Sequence, residues 1–140
     1  MNLTSMRPFV HIVFVAGLFS LLLLGNHSSQ AQTDVINNVR VAVKSGDSQG
    51  LTRYFDNVVE LTTDSEDGSY SKKQAEYVLK SFFRKYPPHD FQYNHIGSSQ
   101  GGAKYTIGTY TFPNGTFRVY MKLKKVNANF VIDTIEFTKE

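Results

Sequence analysis

Five side chains have types suited to proton transfer or ligand hydrogen bonding: Tyr54, Tyr93, His95, Tyr105 and Asp133. His95 is the natural general acid–base, because an imidazole exchanges a proton near neutral pH. It alternates with Phe91 and Tyr93, so strict strand alternation turns all three to one side. The plainer reading is an ordinary strand histidine bonded to a neighbour, and it is the preferred one. Asp133 raises a parity conflict, since Phe130 and Ile132 have one parity while Ile135 and Phe137 have the other. A bulge near Asp133-Thr134 resolves it by turning both apolar pairs inward and Asp133 to solvent. No acid–base pair then survives.

Other chemistries fare worse. With no cysteine there is no thiol nucleophile, no disulfide scaffold and no Cys-ligated metal. Beyond residue 31 only His89 and His95 remain, and six residues of strand hold them roughly 20 Å apart, too far for one ion. No metal site or cofactor is expected. The run Asp64-Ser65-Glu66-Asp67-Gly68 lacks the alternate acids and distal Glu of a calcium loop, and reads as a solvated loop near the helix start at Lys72-Lys73. Gly97 to Gly102 lies between strands and opens no helix, so it is not a phosphate loop.

The elements that must position these residues follow from periodicity. Thr33-Asp34 is read as the cap of a first helix carrying Val35, Ile36, Val39, Ala42 and Val43, stopped by Gly46. A shorter helix carries Leu51, Tyr54 and Phe55. A strand over 58–62 and a loop over 63–70 come next. Ser71-Lys72-Lys73-Gln74 is a capping box, and Ala75, Val78, Leu79, Phe82, Phe83 and Tyr86 recur at helical spacing until Pro87-Pro88. The period then falls to two. Strands around Phe91–His95, 105–112, 117–124 and 130–138 form an antiparallel meander, with Asn114-Gly115 read as a primed hairpin turn. Arg118, Tyr120, Lys122 and Lys124 share one face of the third of these strands, opposite Phe117, Val119, Met121 and Leu123. This basic–aromatic stripe is either a solvated face or an interface.

Residues 1–31 have the form of a cleavable export signal. One cation, Arg7, precedes an apolar run from Phe9 to Leu24, and Ser29-Gln30-Ala31 offers small residues at the cleavage positions. The run is short for a membrane span of about 20 residues, so contact with a membrane is expected only during export. Cleavage near Ala31 would release residues 32–140, one domain, into the periplasm or medium. That domain loses only Arg7 from the 15 cations and none of the 12 anions, which leaves a net charge of +2. Such a balance lacks the dense basic stripe of a nucleic-acid binder.

Several segments carry a resemblance: Lys44-Ser45-Gly46-Asp47, Tyr70-Ser71-Lys72-Lys73-Gln74-Ala75, Phe82-Phe83, His95-Ile96-Gly97, Tyr105-Thr106-Ile107-Gly108 and Gly115-Thr116-Phe117-Arg118-Val119. In this order they resemble small exported bacterial proteins known as a domain of unknown function, with a nuclear transport factor 2-like fold, over most of residues 33–138. The resemblance implies an α+β domain, ordered helix, helix, strand, helix and four strands, whose curved antiparallel sheet wraps a long helix around a conical pocket. A cystatin-like arrangement is the second choice. No activity comes with such a fold. Its catalytic members, such as ketosteroid isomerases, place carboxylates, Tyr or His inside the cone, and its outer sheet face often joins dimers. The expectation is a non-catalytic binding or interaction domain. Its apolar-aromatic cone would take a small ligand or peptide, lined by Tyr54, Leu79, Phe82, Tyr93, His95, Tyr105 and Val119. Arg118, Tyr120 and Lys122 would form an interface for a homodimer. The alternatives are a lyase or isomerase acting through His95 and a tyrosine, and a structural dimer whose cone is filled by its own side chains.

Overall fold

The computed structural model describes residues 27–140; residues 1–26 of the expected export signal lie outside them. Helix α1 (His27–Ser45) begins ahead of the expected cap, and Thr33-Asp34 falls inside it. No Gly or Pro interrupts residues 27–35, so nothing stops the turn from propagating N-terminally. It buries Ile36, Val39, Ala42 and Val43. Gly46 ends it as expected, at φ +67°. The amide of Gly46 donates to the Val43 carbonyl at 3.1 Å and that of Asp47 to Ala42 at 2.9 Å, a Schellman closure. Asp47 then caps helix α2 (Ser48–Thr52) by accepting from the Gly50 amide.

Tyr54 and Phe55 lie past this helix, because strand β1 (Phe55–Thr62) starts at Phe55. The segment expected as a loop contains a second strand, β2 (Asp67–Ser71), antiparallel to β1. Helix α3 (Lys72–Lys85) has the expected capping box: Ser71 Oγ accepts from the Gln74 amide while the Gln74 side chain accepts from the Ser71 amide. It buries Ala75, Leu79, Phe82 and Phe83 against the sheet and ends before the two prolines.

Strands β3 (Asp90–Ser98), β4 (Lys104–Phe112), β5 (Gly115–Val126) and β6 (Asn129–Lys139) form the expected antiparallel meander. The full sheet runs β2-β1-β6-β5-β4-β3, and β6 pairs with β1 in parallel. The β4–β5 loop consists of Pro113 and Asn114, since Phe112 pairs with Gly115. Either primed turn needs positive φ at its first loop residue, here Pro113, whose ring forbids it, so the Asn-Gly reading fails. The bulge at Asp133 is present: Lys122 pairs with Thr134 and Leu123 with Ile132, which leaves Asp133 as the extra residue.

Candidate functional site

The inward side chains fill the space between α3 and the sheet. The ring of Phe82 lies 4.4 Å from that of Phe137, 5.1 Å from Phe117, 5.3 Å from Tyr86 and 5.7 Å from Tyr110. Tyr110 is fully buried, and its hydroxyl donates to the Tyr86 carbonyl. Leu79, Phe82 and Val119, expected to line a pocket, are therefore core residues packed among these rings. Tyr54 and Tyr93 are half-buried at the margins of that core. The Tyr54 carbonyl accepts from the Ile132 amide at 2.7 Å, and the Tyr93 hydroxyl donates to the Ile36 carbonyl of α1 at 3.0 Å. Burial raises the phenol pKa of both Tyr93 and Tyr110, the former against a small opposing pull from Arg40. Among the described residues neither phenol has a basic partner that would ready it for proton transfer. The rings of Tyr86, Tyr110, Phe112, Phe117 and Phe137 were not among the expected lining residues. The alternating pattern of β4 and β5 placed three of them on one face, but periodicity does not say how much volume opposing side chains leave between them.

His95 does not face that interior. Tyr93 pairs with Gly108, but His95 pairs with Ile107, so Asn94 is an extra residue that breaks the alternation. Its insertion turns His95 to the outer face and leaves it exposed. Tyr105 is on that face too. Its hydroxyl lies 3.1 Å from His95 Nε2 and its ring is 6.5 Å from that of Tyr120, with planes at 28°. The two residues expected to cooperate inside a cone are thus brought together outside it. This is a contact on an open sheet surface, with no enclosure to exclude water.

Register fixes the layout of this outer face. One cross-strand row reads Glu136, Tyr120, Ile107 and His95; the next reads Thr134, Lys122, Tyr105 and Gly97. Arg118 stands one step further along β5, opposite Thr109. Lys122 pairs with Asp133 at 3.3 Å and Lys124 with Asp56 at 2.5 Å. The ammonium of Lys124 and the Asn57 amide hold the Asp56 carboxyl below its ordinary pKa. Arg118 and Glu136 have no ion pair among the described residues. The expected interface residues therefore gather around a half-buried aromatic centre, Tyr105 and Tyr120. Among the described residues no three His, Asp or Glu side chains gather as a metal site would require.

Residues 36–138 match the family described as a domain of unknown function, DUF4783. The chain belongs to the DUF4783 family. A DUF4783 protein from Bacteroides ovatus, solved by crystallography, is 33% identical with a TM-score of 0.68, over 74% of this chain and 93% of that one. An NTF-2-like protein of unknown function from Silicibacter pomeroyi is 14% identical with a TM-score of 0.56, over 79% and 94% of the two chains. A protein with a cystatin-like fold from Nostoc punctiforme is 9% identical with a TM-score of 0.63, over 80% and 90%. The last two likenesses show the fold alone. A comparison with curated proteins finds no match. This DUF4783 domain thus has the expected nuclear transport factor 2-like architecture of helices packed on a curved sheet.

Proposed function

We propose that this DUF4783 domain is a non-catalytic interaction module that pairs with a second copy of itself through the outer face of its sheet. The observation that carries the reading is the row Glu136–Tyr120–Ile107 with Arg118 beside it. An apolar-aromatic centre flanked by one free anion and one free cation is self-complementary. A two-fold axis lying in the face brings each Arg118 toward the other copy's Glu136 while the Tyr120 rings pack together. The filled interior favours this over a ligand held in a cone, because Phe82 already has aromatic rings on several sides. The exposed position of His95 favours it over acid–base catalysis. The leader read in residues 1–31 supports delivery across a membrane, so the pairing would operate outside the cytoplasm.

Sedimentation velocity over a range of protein concentrations tests the pairing. The expected result is a monomer–dimer equilibrium, weakened by Arg118→Glu and restored by adding Glu136→Arg. A chain that stays monomeric throughout, or an Arg118→Glu variant that dimerises unchanged, overturns the reading.

A further inference from the structure

A cleft of about 260 Å³ lies between the β1–β2 turn and α3, on the opposite side of the sheet from the face just described. Its turn wall is built from Thr63, Ser65 and Glu66, its helix wall from Tyr77, Val78, Ser81, Phe82 and Lys85. The spacing of the helical set, with steps of one, three and four residues, places it along one side of α3.

The turn wall is held in place by its own hydrogen bonds. Thr63 is buried, its amide donates to the Glu66 carbonyl at 2.8 Å, and its hydroxyl accepts from the amides of Ser65 and Glu66. Tyr70 donates to one carboxylate oxygen of Glu66 at 3.0 Å. Asp64 reaches across to the end of α3, where Lys85 Nζ and the Tyr86 hydroxyl both donate to it at 2.6 Å. Burial pushes the Asp64 pKa up, but these donors outweigh it and hold the carboxyl below its ordinary value. The latch is therefore ionised at neutral pH, and the cleft is preformed.

Three features define an occupant. The first is an aromatic surface: Tyr77 is 60% exposed beside the apolar floor of Val78 and Phe82. The second is a set of polar groups left over after the internal bonds are made. Ser65 Oγ, Ser81 Oγ, the Tyr77 hydroxyl and the second oxygen of Glu66 have no hydrogen bond from the described residues. The third is charge. Lys73 sits 5.5 Å from the centre of the Tyr77 ring and Lys85 borders the cleft, but Glu66 borders it too. A ligand of either sign would meet a like charge, so neutrality is favoured. The volume is just below the range of about 300–1,000 Å³ for drug-sized ligands, enough for one ring.

We infer that this cleft binds a single neutral, hydroxyl-rich ring of the pyranose class. The ring's C–H face lies on Tyr77 and its hydroxyls take up the free groups of Ser65, Ser81 and Glu66. Stacking on an aromatic side chain supplies affinity and the fixed donors and acceptors supply orientation.

The test is an amide NMR titration with methyl β-D-glucopyranoside, methyl β-D-galactopyranoside and N-acetylglucosamine. Saturable shifts are expected for at least one of them, confined to residues 63–66 and 77–85. Tyr77→Ala should weaken that binding by about tenfold with an unchanged melting temperature, because the side chain is largely exposed. Glucuronate and glucosamine should bind more weakly than the neutral sugars. Absence of shifts with all three neutral sugars overturns the inference. So does binding that survives Tyr77→Ala, or tighter binding of either charged sugar. Because the cleft lies across the sheet from the proposed pairing face, an Arg118→Glu monomer should give the same titration, and the two ideas fail separately.

Discussion

Tyr105 lies over Gly97, so closely that a Cβ on Gly97 would stand 2.5 Å from the ring. The two are directly paired across β3 and β4, and the missing side chain lets the ring settle on β3 within reach of His95. Gly97 does not need a left-handed backbone, so alanine fits the strand but not the ring. Gly97→Ala should fold with near-normal stability while pushing Tyr105 away from His95 and disturbing its stack on Tyr120. Tyrosine ring NMR shifts would report the displacement, and sedimentation should show weakened pairing.

Tyr93 ties β3 to α1 through the Ile36 carbonyl. Tyr93→Phe keeps the ring and removes one partly buried hydroxyl. The carbonyl belongs to a helical turn as well, so the expected loss is about 1 kcal/mol, measured as a lower midpoint in urea with an unchanged slope.

Thr106 is fully buried, and its hydroxyl has no hydrogen-bond partner among the described residues. It points inward on β4, across from Met121. Thr106→Val preserves shape and removes a desolvated polar group. It should stabilise the domain by about 1 kcal/mol, seen as a melting temperature higher by a few degrees.

Acid should loosen the β1–β2 turn through Asp64. Its folded pKa is lowered from the ordinary 3.8, so the unfolded chain takes up the proton first as pH falls. The stabilisation is complete above the unfolded value and disappears as pH drops through the folded one. Denaturation curves collected between about pH 6 and about pH 2 should show this loss. Asp64→Asn should flatten part of that acid limb, and amide exchange in residues 63–66 should quicken in the same window.

Helices α2 and α3, the meander and the Asp133 bulge were legible because each leaves a local mark: a cap, a 3.6-residue stripe, alternation, or two apolar pairs of opposing parity. Strand β2 left none. Its residues, Asp-Gly-Ser-Tyr-Ser, alternate only between exposed and half-buried, and what makes it a strand is backbone pairing with β1. The Asn94 bulge was equally silent, since Asn, His and Ile fit a solvated strand in either parity. That single residue separates a histidine in a cone from a histidine on an open face. The filling of the interior was illegible for a different reason. Tyr110, Phe117 and Phe137 come from three strands and meet only once the sheet curves around Phe82.

The order β2-β1-β6-β5-β4-β3 has a kinetic corollary. The β1–β2 hairpin joins the rest of the sheet only through β6, the last of the described strands in chain order. Until residues 129–139 are available, β1 and β5 have no neighbour on the side that β6 will fill, and Phe137 is missing from beside Phe82. Closure must span most of the domain's sequence, which places it among slower-nucleating topologies. A nascent chain of this design cannot lock shut early.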